Sequence, residues 1–164
     1  MQKNIFFILF LSILCSALPA QSSDSITKML DSKTVTFNEV SYFAAAYLDL
    51  EQDTVNLDNA ASVLQSAVKF PQLKNTEGAL CFKDFAYICM RVWNIPGSLN
   101  YRLFKSPRYA LRELKALRCI PPFTDPDAYI TGRDMLYVMS KCAAAAEVRN
   151  AKEKSKQNVK GKSK

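Results

Sequence analysis

Apolar positions recur at helical spacing along most of this chain, and strict alternation of apolar and polar residues is nearly absent. Three segments share one pattern, opening at Val35, Leu80 and Ile130, 45 and 50 residues apart. Each begins with an aliphatic residue followed by Thr or Cys. Two variable positions come next, then an acid (Glu39, Asp84, Asp134) and an apolar residue. Each carries a tyrosine at the same offset: Tyr42, Tyr87 and Tyr137. Thr36 and Thr131 suit the N-cap, and the acid three residues on can reach back as in a capping box. Phe82, Phe85, Cys89 and Val92, then Met135, Met139, Cys142 and Ala146, form apolar stripes. Helices of this first type are predicted at about 36–50, 81–94 and 131–148.

A second type lies between them. Asn56 can cap a helix carrying Ala60, Leu64 and Ala67, and Ser106 followed by Pro107 starts one carrying Ala110, Leu114 and Leu117. Aligning Asn56 with Ser106 superposes Ala60 on Ala110, Leu64 on Leu114 and Phe70 on Ile120. The expected fold is all-α, a five-helix bundle alternating the two types over two and a half repeats. The last helix of the first type lacks a mate, and its open side is a place where another protein could dock.

Residues 1–20 read as a secretory signal: Lys3, an apolar run from Ile5 to Leu14, then small residues allowing cleavage after Ala20 or Ala17. A lipid anchor at Cys15 is the weaker reading, because Leu14 stands where lipoprotein signals usually carry a small residue. Residues 21–34 read as an N-terminal linker, 35–150 as the helical domain and 151–164 as a disordered tail. Location is therefore expected to be periplasmic or secreted, in a bacterial cell envelope.

Charge sharpens this picture. The chain has 22 basic and 15 acidic residues, with a mean hydropathy of −0.08. From residue 152 onward there are six Lys and one Glu. Residues 21–84 hold five basic against nine acidic side chains, whereas 85–151 hold ten against five. The second half therefore faces an anionic partner. No histidine occurs, which removes Ser-His-Asp and Cys-His catalysis and His-ligated metal. The four glycines lie too far apart for a phosphate-cradling loop. No enzyme activity, cofactor or metal site is expected.

The stretch Tyr109-Ala110, Leu114, Leu117-Arg118-Cys119-Ile120-Pro121, then Ile130-Thr131-Gly132-Arg133-Asp134-Met135, resembles the S-layer homology (SLH) repeat. The resemblance spans roughly 36–146 and is best over 106–146. It implies SLH-like helical hairpins and binding of a cell-wall polymer through an Arg after the Thr and nearby loop residues. Gly132 fills that Arg slot here, with Arg133 one place later, and Cys119 fills the slot of a family glycine.

After removal of the signal, four cysteines remain: Cys81, Cys89, Cys119 and Cys142. Cys81 and Cys89 on one helix lie about 12 Å apart along its axis, too far for a bond needing Cα atoms within about 7 Å. Cys81 opens one helix and Cys119 closes the next, so Cys81–Cys119 is the expected disulfide, worth about 3–4 kcal/mol. Cys89 and Cys142 read either as a second bond or as buried thiols acting as small hydrophobes.

The candidate ligand-binding surface is Tyr101, Arg102, Lys105, Arg108, Tyr109 and Arg112, with Arg133 from the resemblance. Arg forks suit carboxylates and phosphates. Tyr faces suit sugar rings. The expected function is a non-catalytic envelope protein that binds an anionic cell-wall polymer, peptidoglycan or another glycan. The alternative is a periplasmic protein–protein interaction or assembly factor. Nucleic acid is not an expected partner, and the Lys tail could add a peripheral membrane contact.

Overall fold

The computed structural model describes residues 21–50, 55–73 and 76–161; the signal segment and Cys15 lie outside the described residues. The described chain is helical: α1 (Gln21–Leu30), α2 (Phe37–Tyr47), α3 (Ala60–Ala67), α4 (Phe82–Val92), α5 (Leu99–Phe104), α6 (Pro107–Ala116) and α7 (Gly132–Gly161). It contains isolated β-bridges but no strands among these residues.

The three repeat starts use one device. Thr36 Oγ1 accepts from the Glu39 N–H at 3.4 Å, while the Thr36 N–H donates to the Glu39 carboxylate at 2.6 Å, completing the capping box of α2. Thr131 Oγ1 accepts from the Asp134 N–H at 3.2 Å and donates to its carboxylate at 2.8 Å. In the middle repeat the Cys81 thiol donates to Asp84 at 2.9 Å. The aliphatic residue before each cap links the starts into a chain. The Leu80 N–H donates to the Val35 carbonyl at 2.7 Å, and the Ile130 N–H donates to the Leu80 carbonyl at 3.1 Å. Val35, Leu80 and Ile130 are all buried, so burial and backbone pairing fix the same register.

Two hairpins follow, α2 against α3 and α4 against α6. Their shared core is built from Phe37, Val40, Leu64, Phe85, Ile88, Leu114 and Met135. Burying side chains of this size contributes about 1.5–3 kcal/mol each. Helices α2, α4 and α6 end in the same turn, with Asp49, Asn94 and Arg118 in the left-handed region at φ 56°, 46° and 58°. In the last, the Cys119 N–H reaches the Leu114 carbonyl at 2.9 Å, satisfying an otherwise orphaned acceptor. A non-glycine residue costs about 1 kcal/mol there. Arg118→Gly is therefore expected to raise stability by up to that amount, read as a higher melting temperature.

Several expectations need correction. Among the described residues there are seven helices where periodicity predicts five. The segment read as a linker holds α1, whose Met29 is buried and which packs on α7. Because α1 takes a place beside α7, the side left open in the repeat count is at least partly covered by the chain itself. The helix predicted from Asn56 begins at Ala60; Asn56 instead accepts from the Asp58 and Asn59 N–H groups at 3.0 Å, forming a turn first. Helix α7 has its bounds at Gly132 and Gly161, and the segment read as a tail is neither borne out nor overturned by this.

Candidate functional site

At the C-terminal end of α4 the chain turns through Asn94, Ile95, Pro96 and Gly97 into α5. Between these elements lies a cleft of about 400 Å³, lined by Met90, Arg91, Asn94, Ile95, Pro96, Gly97, Tyr101, Arg102 and Lys105. None of the lining residues is acidic, and three are cations.

Tyr101 anchors α5. Its ring is buried, and a Cβ on Gly97 would lie 2.3 Å from that ring, so glycine is what lets the loop close over it. Burial, helped by nearby Tyr87 and opposed by the Arg91 cation, pushes the Tyr101 phenol up to about 12. The hydroxyl therefore stays a neutral donor at physiological pH. Arg91 Nε donates to the Lys69 carbonyl at 3.1 Å, which orients the guanidinium. Lys105 ends α5 in the left-handed region at φ 46°. Arg149 of α7 donates to the Asn94 carbonyl at 2.6 Å, so the Lys-rich sequence after Arg149 starts at the rim of the cleft.

The residues singled out from sequence divide among separate places. Tyr101, Arg102 and Lys105 share the cleft. Tyr109 is half-buried and stacks on Phe104, with ring centroids 5.4 Å apart at 16°. Arg108 lies 4.0 Å from Asp127, whose carboxyl also bonds Lys83. That Lys83 contact, with Arg108 beyond it, holds the Asp127 carboxyl below the usual range. Arg112 is exposed on α6. Arg133 sits at the start of α7, 3.7 Å from Asp31. Sequence reasoning missed Arg91, Asn94 and Gly97. The Pro96-Gly97 pair marked a loop but gave no sign that its walls would be basic.

Leu99–Phe104, which carries Tyr101 and Arg102 and is not among the helices predicted from periodicity, is helical. Of the three equivalent tyrosines, Tyr87 is buried, Tyr42 half-buried and Tyr137 half exposed with Lys141 over its ring at 5.5 Å. Phe70 packs on Tyr87 with centroids 6.4 Å apart, whereas its repeat counterpart Ile120 lines an open cleft of about 360 Å³ together with Tyr137.

The four cysteines are free thiols. Cys81 is drawn to Asp84 and bridges backbone to Tyr129, while Cys119 is swung inward by the turn after α6 and meets Cys142. The Cys81–Cys119 pairing is thus not present. Instead Cys119, Cys142 and Cys89 form a buried thiol chain. Contact with Cys142, reinforced by burial, pushes the Cys119 thiol up. Cys142 is lowered by Cys119 but raised further by Cys89 and by burial, ending above the ordinary range. Among the described residues no group of three or more His, Cys, Asp or Glu is placed to hold a metal ion.

No family model matches the chain, and no curated protein and no solved structure is similar to it at a significant level.

Proposed function

We propose that this chain is a non-catalytic protein of the bacterial cell envelope that binds an anionic wall polymer or glycan in the cleft between α4 and α5. One observation carries the reading: Arg91, Arg102 and Lys105 line a single concave surface with no acid in its wall. Guanidinium forks and an ammonium bond carboxylate or phosphate oxygens directly, and Tyr101 adds a neutral donor at the same place. The lysines following Arg149 extend the attraction along a repeating polyanion. Arg108 and Arg133 have acidic neighbours of their own and lie outside the cleft lining, so they contribute less.

Retention of the full chain on purified peptidoglycan carrying its anionic polymer tests this. Retention should fall as salt rises. Arg102→Ala with Lys105→Ala should weaken it by at least about tenfold, since each charge-assisted bond contributes roughly 1.5–3 kcal/mol. Arg108→Ala should change it by less than about twofold, because exposed pairs of this kind contribute 0–1 kcal/mol. Salt-insensitive retention, or equal loss from all three positions, would refute the cleft as the site.

A further inference from the structure

We infer that α5 is a membrane-docking knuckle that seats on an anionic lipid surface, a role beyond polymer binding and independent of it. The helix is fixed to the body by buried Tyr101. At 100° per residue, Leu99 and Leu103 lie on the side opposite Tyr101. They are 77% and 72% exposed, unusually open for large aliphatic side chains one turn apart. Phe104, nearer to the Tyr101 side of the helix, is still 54% exposed and is stiffened by its stack on Tyr109. Arg102 flanks the ridge, about 80° around the helix from its centre.

Charge decides the occupant. From Arg91 to Arg112 the sequence carries five cations and no acid. An apolar ridge alone would suit a second copy of the chain as well as a lipid. Asp127 meets Arg108 and Glu113 bonds Ser98 at the start of the helix, yet with Arg91, Arg102, Lys105 and Arg112 the surroundings of the ridge stay net positive, which would repel a second copy and is complementary to anionic headgroups. Aliphatic and aromatic side chains enter the headgroup–acyl boundary while Arg and Lys hold phosphate, as in interfacial helices. Arg149 bonds the Asn94 carbonyl at the neighbouring cleft rim, and the lysine-rich sequence that follows it adds to the same attraction. A six-residue helix is far too short to cross a bilayer, so the contact through α5 is one of lying on the surface.

Sedimentation with vesicles of phosphatidylcholine, with and without phosphatidylglycerol, tests this on the full chain. Binding should require phosphatidylglycerol and weaken with salt. Leu99→Ser with Leu103→Ser should reduce it by about tenfold or more. Both positions are exposed, so the circular dichroism spectrum and melting temperature should not change. Hydrogen exchange supplies a local readout that the apolar N-terminal run cannot mimic: amides of residues 98–106 should slow when the anionic vesicles are added. The same double substitution should leave polymer retention intact, whereas Arg102→Ala with Lys105→Ala should weaken both activities. Equal vesicle binding by the wild type and the leucine variant, or unchanged exchange at 98–106, would overturn the inference. So would self-association that is lost with the leucines in a chain that ignores vesicles, which would assign the ridge to a second copy.

Discussion

Gly132→Ala is expected to destabilise the protein by about 3 kcal/mol, the upper part of the range for overpacking a filled site. Helix propensity alone points the other way, since alanine gains about 1 kcal/mol over glycine inside a helix. The close approach of α1 reverses the sign. A Cβ at position 132 would lie 1.6 Å from the Met29 carbonyl oxygen and 2.6 Å from its carbon, both backbone atoms that cannot rotate aside. The Gly132 N–H also donates to the Ser32 carbonyl at 3.1 Å, so backing away would cost that bond as well. The cheapest relief is for α1 to peel off α7, exposing Met29. Urea unfolding should show the loss, and hydrogen exchange over residues 21–30 should show where it falls. Arg133→Ala next door removes only an exposed contact with Asp31 and should cost well under 1 kcal/mol. If Gly132→Ala were neutral or stabilising, the close docking of α1 would be wrong. The same crowding explains why an Arg, which the SLH resemblance would place at this slot, has no room here.

The repeat was legible in the sequence because its signals are local and stereochemical. An aliphatic residue, a capping hydroxyl or thiol and an acid three residues later can act in only a few ways: Thr36–Glu39 forms the full capping box, and at Thr131–Asp134 the hydroxyl caps and the acid bonds that hydroxyl. The two hairpins followed from cap spacing and apolar stripes. Helix α5 was not legible because its apolar residues point outward: Leu99 and Leu103 gave no stripe that a core could use, and a cluster of Arg, Lys and Tyr looked like loop. Helix α1 was hidden for another reason. QSSDSITKML has only three large apolar residues, of which Met29 alone is buried. Its place is set by docking on α7, which no local pattern reports.

The candidate site was half legible for similar reasons. Arg102 and Lys105 could be found because cations concentrate in one segment. Arg91 could not, since a basic residue in the last turn of a helix is ordinary dipole chemistry. Only the turn through Asn94 and Gly97 brings it to the same cleft. Arg108, in the first turn of α6, went instead to Asp127, 19 residues along the chain. Proximity in sequence selected the right neighbourhood, and partner competition sorted its members.

Raising the pH above about 9 is expected to unfold the protein progressively, and the buried thiol chain sets the slope. Cys119 and Cys142 both keep their protons in the folded state to higher pH than in the unfolded chain, where a thiol titrates near its ordinary value. Above that value the unfolded state binds fewer protons than the folded one, so stability falls as pH rises. Below it the contribution is fully present. Two thiols at about 1.4 kcal/mol per pH unit each give a slope near 2.7 kcal/mol per unit, or about 3 kcal/mol lost between pH 8 and pH 10. Tyr101, pushed up to about 12 by burial, steepens the fall above pH 10. With typical domain stabilities of about 5–15 kcal/mol, this is a substantial fraction of the total. Urea midpoints under reducing conditions across this range measure the slope. Cys119→Ala with Cys142→Ala should be less stable at neutral pH, because two buried groups are truncated, yet its stability should fall much less steeply to pH 10, the remaining slope coming from Cys81, whose thiol is also pushed up by burial and Asp84. Parallel pH profiles for the two proteins would show that these thiols do not carry the dependence. Oxidation offers an independent check on the same geometry. Treatment with oxidised glutathione, a disulfide that accepts the electrons, would join Cys142 to Cys119 and remove the slope of both thiols, or join Cys142 to Cys89 and remove about half of it.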